Sequence, residues 1–101
     1  MKAFLDEVVA DGLTIAAQGQ LAEGIPADGF YQVPTLVRDV PITHRLAQEE
    51  VFGPVIAAAV FDTEEEAIAL ANGTAFGLVA SVWTRDGGRQ MRVARKVRAG
   101  Q

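Results

Sequence analysis

The sequence predicts an α/β fold, with a short N-terminal helix and strands followed by strand, helix, strand, helix over the C-terminal half. Two features carry that prediction. The first is the near-continuous apolar run Val55-Ile56-Ala57-Ala58-Ala59-Val60-Phe61, followed at once by a helix start at Thr63-Glu64-Glu65-Glu66. A strand covered on both faces reads as an unbroken apolar run rather than an alternating one. The second is the repeat of that order: Leu78-Val79-Ala80-Ser81-Val82-Trp83-Thr84 precedes another helical stretch, 89–98. Strands alternating with helices point to a parallel pair joined by a right-handed crossover.

Each element has a local reason. In residues 2–11, Leu5, Val8 and Val9 fall at i, i+3 and i+4 with Asp6, Glu7 and Asp11 between them, the pattern of a helix with one apolar face. Gly12 is its stop, and Leu13–Ala17 is a short strand. Gln18 to Gly29 contains Gly19, Gly24, Pro26 and Gly29 and reads as a loop or loose hairpin. Phe30–Val33 and Thr35–Val37 flank Pro34, which suits an edge strand or a bulge because proline donates no ladder hydrogen bond. Asp39 to Gln48 is irregular, with one helical turn at Arg45–Gln48. Thr63 is the N-cap of the next helix, Glu66 its capping-box partner, and Ala67, Ile68 and Ala71 its inward face. Asn72-Gly73 ends it. Asp86-Gly87-Gly88 turns into the last helix, with Ala94 and Val97 inward.

At 101 residues the chain is one small domain with a thin core. Half of it is apolar and 22% is charged, which excludes a disordered chain. The absence of cysteine excludes disulfides, thiolate metal sites and a cysteine nucleophile from this chain. Asp6 and Glu7 interrupt the N-terminal apolar residues, so no signal peptide is read, and the Val55–Phe61 run is too short to span a membrane. The expected location is the cytoplasm. Net charge is −4, yet six of the nine Lys and Arg residues lie between Arg85 and Arg98. No aromatics are interleaved to stack on bases, so this is read as a solvated helix face with cations near its C-terminus rather than a nucleic-acid surface.

Few motifs offer chemistry. Gly19 and Gly24 have the outer spacing of a phosphate-binding loop, but Ile25-Pro26 stand where Lys-Ser/Thr would be needed. His44 is the one histidine and has no second ligand to form a metal site with. Ser81 lies mid-strand. The run Glu49-Glu50-Val51-Phe52-Gly53-Pro54-Val55 is different: two carboxylates and an aromatic precede a Gly-Pro turn. A carboxylate accepts from vicinal hydroxyls, and a ring covers an apolar group. Equally, Glu50 could cap a turn and Phe52 belong to the core.

Three blocks resemble the aldehyde dehydrogenase superfamily. Gly29-Phe30-Tyr31-Gln32-Val33-Pro34-Thr35 is similar to its Gly-aromatic-aromatic-x-x-Pro-Thr block. Gln48 to Val55 is similar to its Glu-Glu-(Ile/Val)-Phe-Gly-Pro-Val signature. Ala71-Asn72-Gly73-Thr74-Ala75-Phe76-Gly77-Leu78, with Val82–Asp86 after it, is similar to a third. The resemblance spans essentially the whole chain. It implies an internal piece, 1–101, of the catalytic domain, incomplete at both ends, of an NAD- or NADP-dependent enzyme that oxidises an aldehyde to a carboxylic acid. By the same resemblance Glu50 hydrogen-bonds the nicotinamide ribose, Phe52 packs beside the nicotinamide, Glu49 is structural, and Asn72, Gly77 and Trp83 are architectural: a helix end, a tight turn and a packed aromatic. The family's nucleophilic cysteine and general-base glutamate lie upstream of the matched region, so the chain alone is expected to be inactive.

Two other readings stay open. One is a non-catalytic association module that pairs with full-length or complementary subunits, including copies of itself. The other is a phosphate or nucleic-acid binder using Arg85, Arg89, Arg92, Lys96 and Arg98.

Overall fold

The computed structural model describes residues 2–100. The chain divides into two compact units, one up to Ala59 and one from Val60.

The first unit starts with α1 (Lys2–Ala10). Its end is a Schellman motif: the Leu13 N–H donates to Val8 O at 2.9 Å and the Gly12 N–H to Val9 O at 3.2 Å. Gly12 takes φ 73°, the left-handed conformation that a Cβ disfavours, which is why glycine stops the helix here. Next come β1 (Thr14–Gln18), β2 (Thr35–Arg38), α2 (Arg45–Gln48) and β3 (Val55–Ala57). They form a three-stranded sheet in the order β1-β2-β3. β1 and β2 are antiparallel, with Ile15 opposite Val37 and an irregularity between Ile15 and Ala17. β2 and β3 are parallel, with Leu36 opposite Ile56, and α2 lies within the crossover between them.

Two expectations change here. Pro34 lies outside the sheet, immediately before β2, where its missing N–H costs no ladder bond; the irregularity falls on β1 instead. Its carbonyl still accepts from Gly19 N–H at 2.8 Å and closes the long β1–β2 connection. The predicted Val55–Phe61 strand is also shorter, ending at Ala57, and Ile56 and Phe61 are exposed. The ladder bonds fade just past the end of β2: Ala58 N–H donates to Val37 O at 2.8 Å and its carbonyl accepts from Val40 N–H at 3.1 Å, and no backbone bond to this strand follows among the described residues. The core is small, with Val8, Val37, Val40 and Leu46 buried and Phe4, Leu13, Ile15, Ala47, Val51 and Val55 packed around them.

The second unit contains α3 (Glu64–Ala71) and α4 (Gly87–Lys96). Thr63 caps α3 as predicted, its hydroxyl accepting from Glu66 N–H at 3.1 Å. Glu66 reaches back one residue further than a capping box requires, to the Asp62 N–H at 2.9 Å. α4 begins two residues earlier than predicted because Asp86 is a good N-cap: its carboxylate accepts from Arg89 N–H at 3.0 Å. Val93 and Val97 are half-buried while Ala94 is exposed. On α3, Ala67, Ile68 and Leu70 are half-buried while Ala71 is exposed.

Residues 78–84 correct the expected second strand. They carry no ladder hydrogen bonds, and among the described residues they join no sheet, so the predicted parallel pair with Val55–Phe61 is absent. A strand is defined by a partner as much as by its own residues. Only its end alternates: Val82 and Thr84 are half-buried and Trp83 is exposed, whereas residues 78–81 are all exposed. Trp83, expected to be packed, is 93% exposed. The fold class stands as a small mixed α/β piece, with three strands and four helices among the described residues. No helix among the described residues is long and apolar enough to cross a membrane.

Candidate functional site

The Glu49–Gly53 segment leaves α2, a one-turn helix held at both ends. His44 caps its start: Nδ1 accepts from Leu46 N–H at 3.0 Å. That bond leaves the proton on Nε2, which donates to Asp11 Oδ2 at 3.0 Å and ties α2 to the end of α1. Leu46 is buried in the core. At the other end, Glu49 N–H donates to Arg45 O at 2.9 Å, and Glu49 itself turns to extended backbone at φ −118°, ψ 142°.

Arg45 is surrounded. Its Nη1 lies 2.7 Å from Glu7 Oε1, its Nε lies 2.9 Å from Glu49 Oε2, and its guanidinium sits 4.2 Å above the Phe4 ring. The Glu49 hydrogen bond, with that of Glu7, raises its pKa further above the ordinary arginine value. Glu49 is thereby a structural residue.

Glu50 has none of this. Among the described residues its carboxylate has neither a hydrogen bond nor an ion pair, and it is exposed. Val51 is drawn inward against the core, and Phe52 is 90% exposed. Two tight turns follow: Gly53 N–H donates to Val51 O at 2.7 Å, and Val55 N–H donates to Gly53 O at 2.8 Å. Three-residue turns of this kind reverse the chain over a short distance. Phe52 is therefore held at the tip of a bend whose flanks, Val51 and Val55, are both anchored to the core. Beside the bend an open apolar depression of about 460 Å³ runs along the strands, edged by Gly53, Pro54, Gly19 and Pro34. The structure thus brings Glu50 and Phe52 together as a free carboxylate and an uncovered ring two residues apart. Among the described residues of this chain Glu50 caps no turn and Phe52 joins no core cluster.

In the second unit the polar groups bind one another. Glu64 receives both Nε and Nη2 of Arg92 at 3.0 and 2.9 Å, with Arg89 at 3.6 Å. The Arg92 hydrogen bonds hold its carboxyl below the usual glutamate range. Asp86 is lowered too, first by the Arg89 N–H it accepts. Two cations of the basic cluster are therefore committed to Glu64, and a third, Arg98, reaches Asn72 O at 2.7 Å. Asn72 does more than end α3: its amide donates to Lys96 O at 2.9 Å and accepts from Arg98 N–H at 2.7 Å, tying the ends of α3 and α4 together. Gly77 is needed for close backbone approach rather than for a tight turn: a Cβ there would meet Arg98 O at 3.1 Å, beside the 2.8 Å bond from Gly100 N–H to Gly77 O. Among the described residues no group of His, Cys, Asp and Glu could hold a metal ion.

Sequence reasoning missed Arg45 and the Asn72 clamp. The Arg45–Glu49 spacing of i, i+4 was the available signal for the first. Nothing local announces the second, since its partners lie more than twenty residues away.

Comparison with known proteins identifies the family. The family model "Aldehyde dehydrogenase family" matches residues 1–101. A 2-aminomuconic semialdehyde dehydrogenase of Danio rerio is 40% identical over 99% of this chain and 21% of its own length. An aldehyde dehydrogenase of Rhodospirillum rubrum is 43% identical over 97% of this chain and 20% of its own. Among solved structures, an aldehyde dehydrogenase of Burkholderia cenocepacia superposes with a TM-score of 0.96 at 62% identity, over 99% of this chain and 21% of that one. One of Mycobacterium tuberculosis, complexed with NAD+, gives 0.87 at 37% identity over 98% of this chain and 20% of that one. The chain spans about a fifth of the length of the relatives it matches. With the whole sequence matched and the backbone shared, the chain belongs to the aldehyde dehydrogenase family.

Proposed function

We propose that this chain supplies the nicotinamide-ribose contact of an NAD- or NADP-dependent aldehyde dehydrogenase, an enzyme that oxidises an aldehyde to a carboxylic acid. Glu50 accepts hydrogen bonds from the ribose hydroxyls, and Phe52 covers one side of the nicotinamide. The observation that carries the reading is the free Glu50 carboxylate beside the uncovered, anchored Phe52. The donor set fits the group: an ionised carboxylate offers two oxygens to two neighbouring hydroxyls, and an exposed ring offers a face to an apolar heterocycle. The solved relative of Mycobacterium tuberculosis bound to NAD+ supports it.

When bound, NAD(P)+ accepts a hydride. The residues of this chain orient and shield; they do not attack. The chain has no cysteine, so a thiol nucleophile for the aldehyde must come from elsewhere in an enzyme about five times as long. The chain by itself is inactive on this reading. A thiol-dependent oxidation also suits a reducing compartment, which is consistent with a cytoplasmic location.

Saturation-transfer NMR of NAD+ with this chain tests the proposal. Transfer is expected to the nicotinamide and its ribose protons, and to be lost in Glu50→Gln and Phe52→Ala. Transfer confined to the adenine end, or unchanged in Glu50→Gln, rejects it.

A second reading has its own observation. Residues 78–84 turn Val79 and Trp83 outward without a sheet partner, which suits an association module that pairs with another aldehyde dehydrogenase subunit or a second copy. Sedimentation of the chain alone and mixed with a full-length homologue decides it: a monomer in both cases is the negative result.

A further inference from the structure

We infer that Arg45 is a positioning residue that sorts the two neighbouring carboxylates: it sequesters Glu49 and leaves Glu50 as the one presented to a ligand. Glu49 and Glu50 have the same chemistry and sit side by side, so something outside them must decide which is free.

The geometry of a short helix makes that decision. At 3.6 residues per turn, position i+4 lies only about 40° around the helix from i, while the extended backbone of Glu49 carries Glu50 off the helical path. Arg45 therefore reaches Glu49 and not Glu50. The same residue holds Glu49 twice, with its carbonyl on the Glu49 N–H at 2.9 Å and its Nε on the Glu49 carboxylate at 2.9 Å. The chain leaves the helix at Glu49, so Glu50 departs from the face that Arg45 serves.

Arg45 is itself fixed from outside α2. Glu7 takes its Nη1 at 2.7 Å, and Phe4 lies under the guanidinium at 4.2 Å. Glu7 and Phe4 both belong to α1, whose far end is tied to α2 again through Asp11 and His44. The start of the Glu50–Phe52 segment is thus referenced to α1 by two adjacent residues, 44 and 45. Arginine suits the task better than lysine because its planar fork serves two carboxylates while its face stacks on a ring.

The role assigned to Glu50 rests on the ribose reading; the sorting by Arg45 does not. The test uses the 101-residue chain, labelled for NMR. Backbone heteronuclear NOEs are recorded for residues 49–53 in Arg45→Met, Arg45→Lys, Glu49→Gln and the Arg45→Met/Glu49→Gln double variant. NAD+ saturation transfer is recorded alongside. In Arg45→Met, residues 49–53 are expected to lose order while the Val37 and Leu36 amides keep their shifts. Arg45→Lys should recover part of that order. The double variant should be no looser than Arg45→Met, because both changes break one pair. If the competent arrangement falls to a tenth of the population, NAD+ binding weakens about 10-fold.

Residues 49–53 unchanged in Arg45→Met overturn the sorting, whatever NAD+ does. Should Arg45→Met fail to fold, Glu49→Gln takes its place, and undiminished order there overturns the sorting equally. Loosening of the segment with NAD+ transfer unaffected supports the sorting and removes the ribose reading instead.

Discussion

Adjacent valines on α1 give the packing argument an internal control. Val8 is 0% exposed and Val9 is 65% exposed, one residue further along the same helix. Val→Ala removes the same two methyl groups at both positions. It also relieves the same β-branched penalty in a helix, worth about 0.5 kcal/mol. At position 8 alone those methyls leave a core, whose other buried apolar members are Val37, Val40 and Leu46. Two buried methyl groups amount to about 1.6 kcal/mol of transfer free energy. The void they leave adds about 1 kcal/mol if the neighbours relax little. Net of the helix gain, Val8→Ala should cost about 2 kcal/mol, while Val9→Ala should lie between no change and a gain of about 0.5 kcal/mol. A chain of this length has on the order of 5–15 kcal/mol to lose, so the difference is measurable. The assay is urea unfolding followed at the Val37 and Leu36 amides of β2. With a slope of about 1 kcal/mol per M urea, the midpoint should fall by about 2 M in Val8→Ala and hold or rise slightly in Val9→Ala. Equal losses in the two variants would refute the placement of α1, because they would mean that both valines are covered.

Three further outcomes follow from single contacts. Gly12→Ala should cost about 1 kcal/mol of α1 stability, since φ 73° is strained for any Cβ although nothing lies within 4 Å of it; Gly12→Asn should cost less, and hydrogen exchange at the Leu13 amide reads both. Thr63→Ala should cost about 1 kcal/mol by leaving the Glu66 N–H uncapped, seen as faster exchange over residues 64–67. Acidification should loosen the α3–α4 contact: Glu64 has a folded pKa below its unfolded one, so its pair with Arg92 stabilises above the unfolded value of about 4.3 and is lost as pH falls through the lowered folded value. Chemical shifts of Arg92 Nε between pH 6 and 2 should show that transition, and Glu64→Gln should abolish it.

The elements legible in the sequence were those with a local cause. Gly12 as a stop, Thr63 as a cap and the single turn at Arg45–Gln48 depend on residues within one turn of themselves, and they fall where the sequence placed them. Burial was less legible because periodicity gives a face, not a boundary. Leu5, Val8 and Val9 define one stripe on α1, yet the core receives Val8 and leaves Val9 outside. Sheet membership was least legible. Residues 78–84 have strand composition, but pairing is a property of two segments, and the sheet is built from β1, β2 and β3. Pro34 misled in the same way, marking the entrance to β2, the central strand, rather than an edge.

The candidate site shows the same division at the scale of single side chains. The proposal that Glu50 and Phe52 form a recognition pair starts from a short run of residues. That Glu49 is excluded from it was not readable there, because the residues that restrain Arg45 lie at positions 4 and 7, and Glu7 is 38 residues from its partner. An exposed carboxylate without a partner is common on any surface and says little by itself. It becomes informative when an identical group beside it is bound at both backbone and side chain, because the same local field and solvent then act on two acids with opposite outcomes. What distinguishes them is that Glu49 closes the one-turn helix opposite Arg45, while Glu50 lies beyond its end. Position 45 is the one place on α2 that joins Glu7 and Phe4 of α1 to the Glu49 side chain, since the next position, Leu46, is buried in the core.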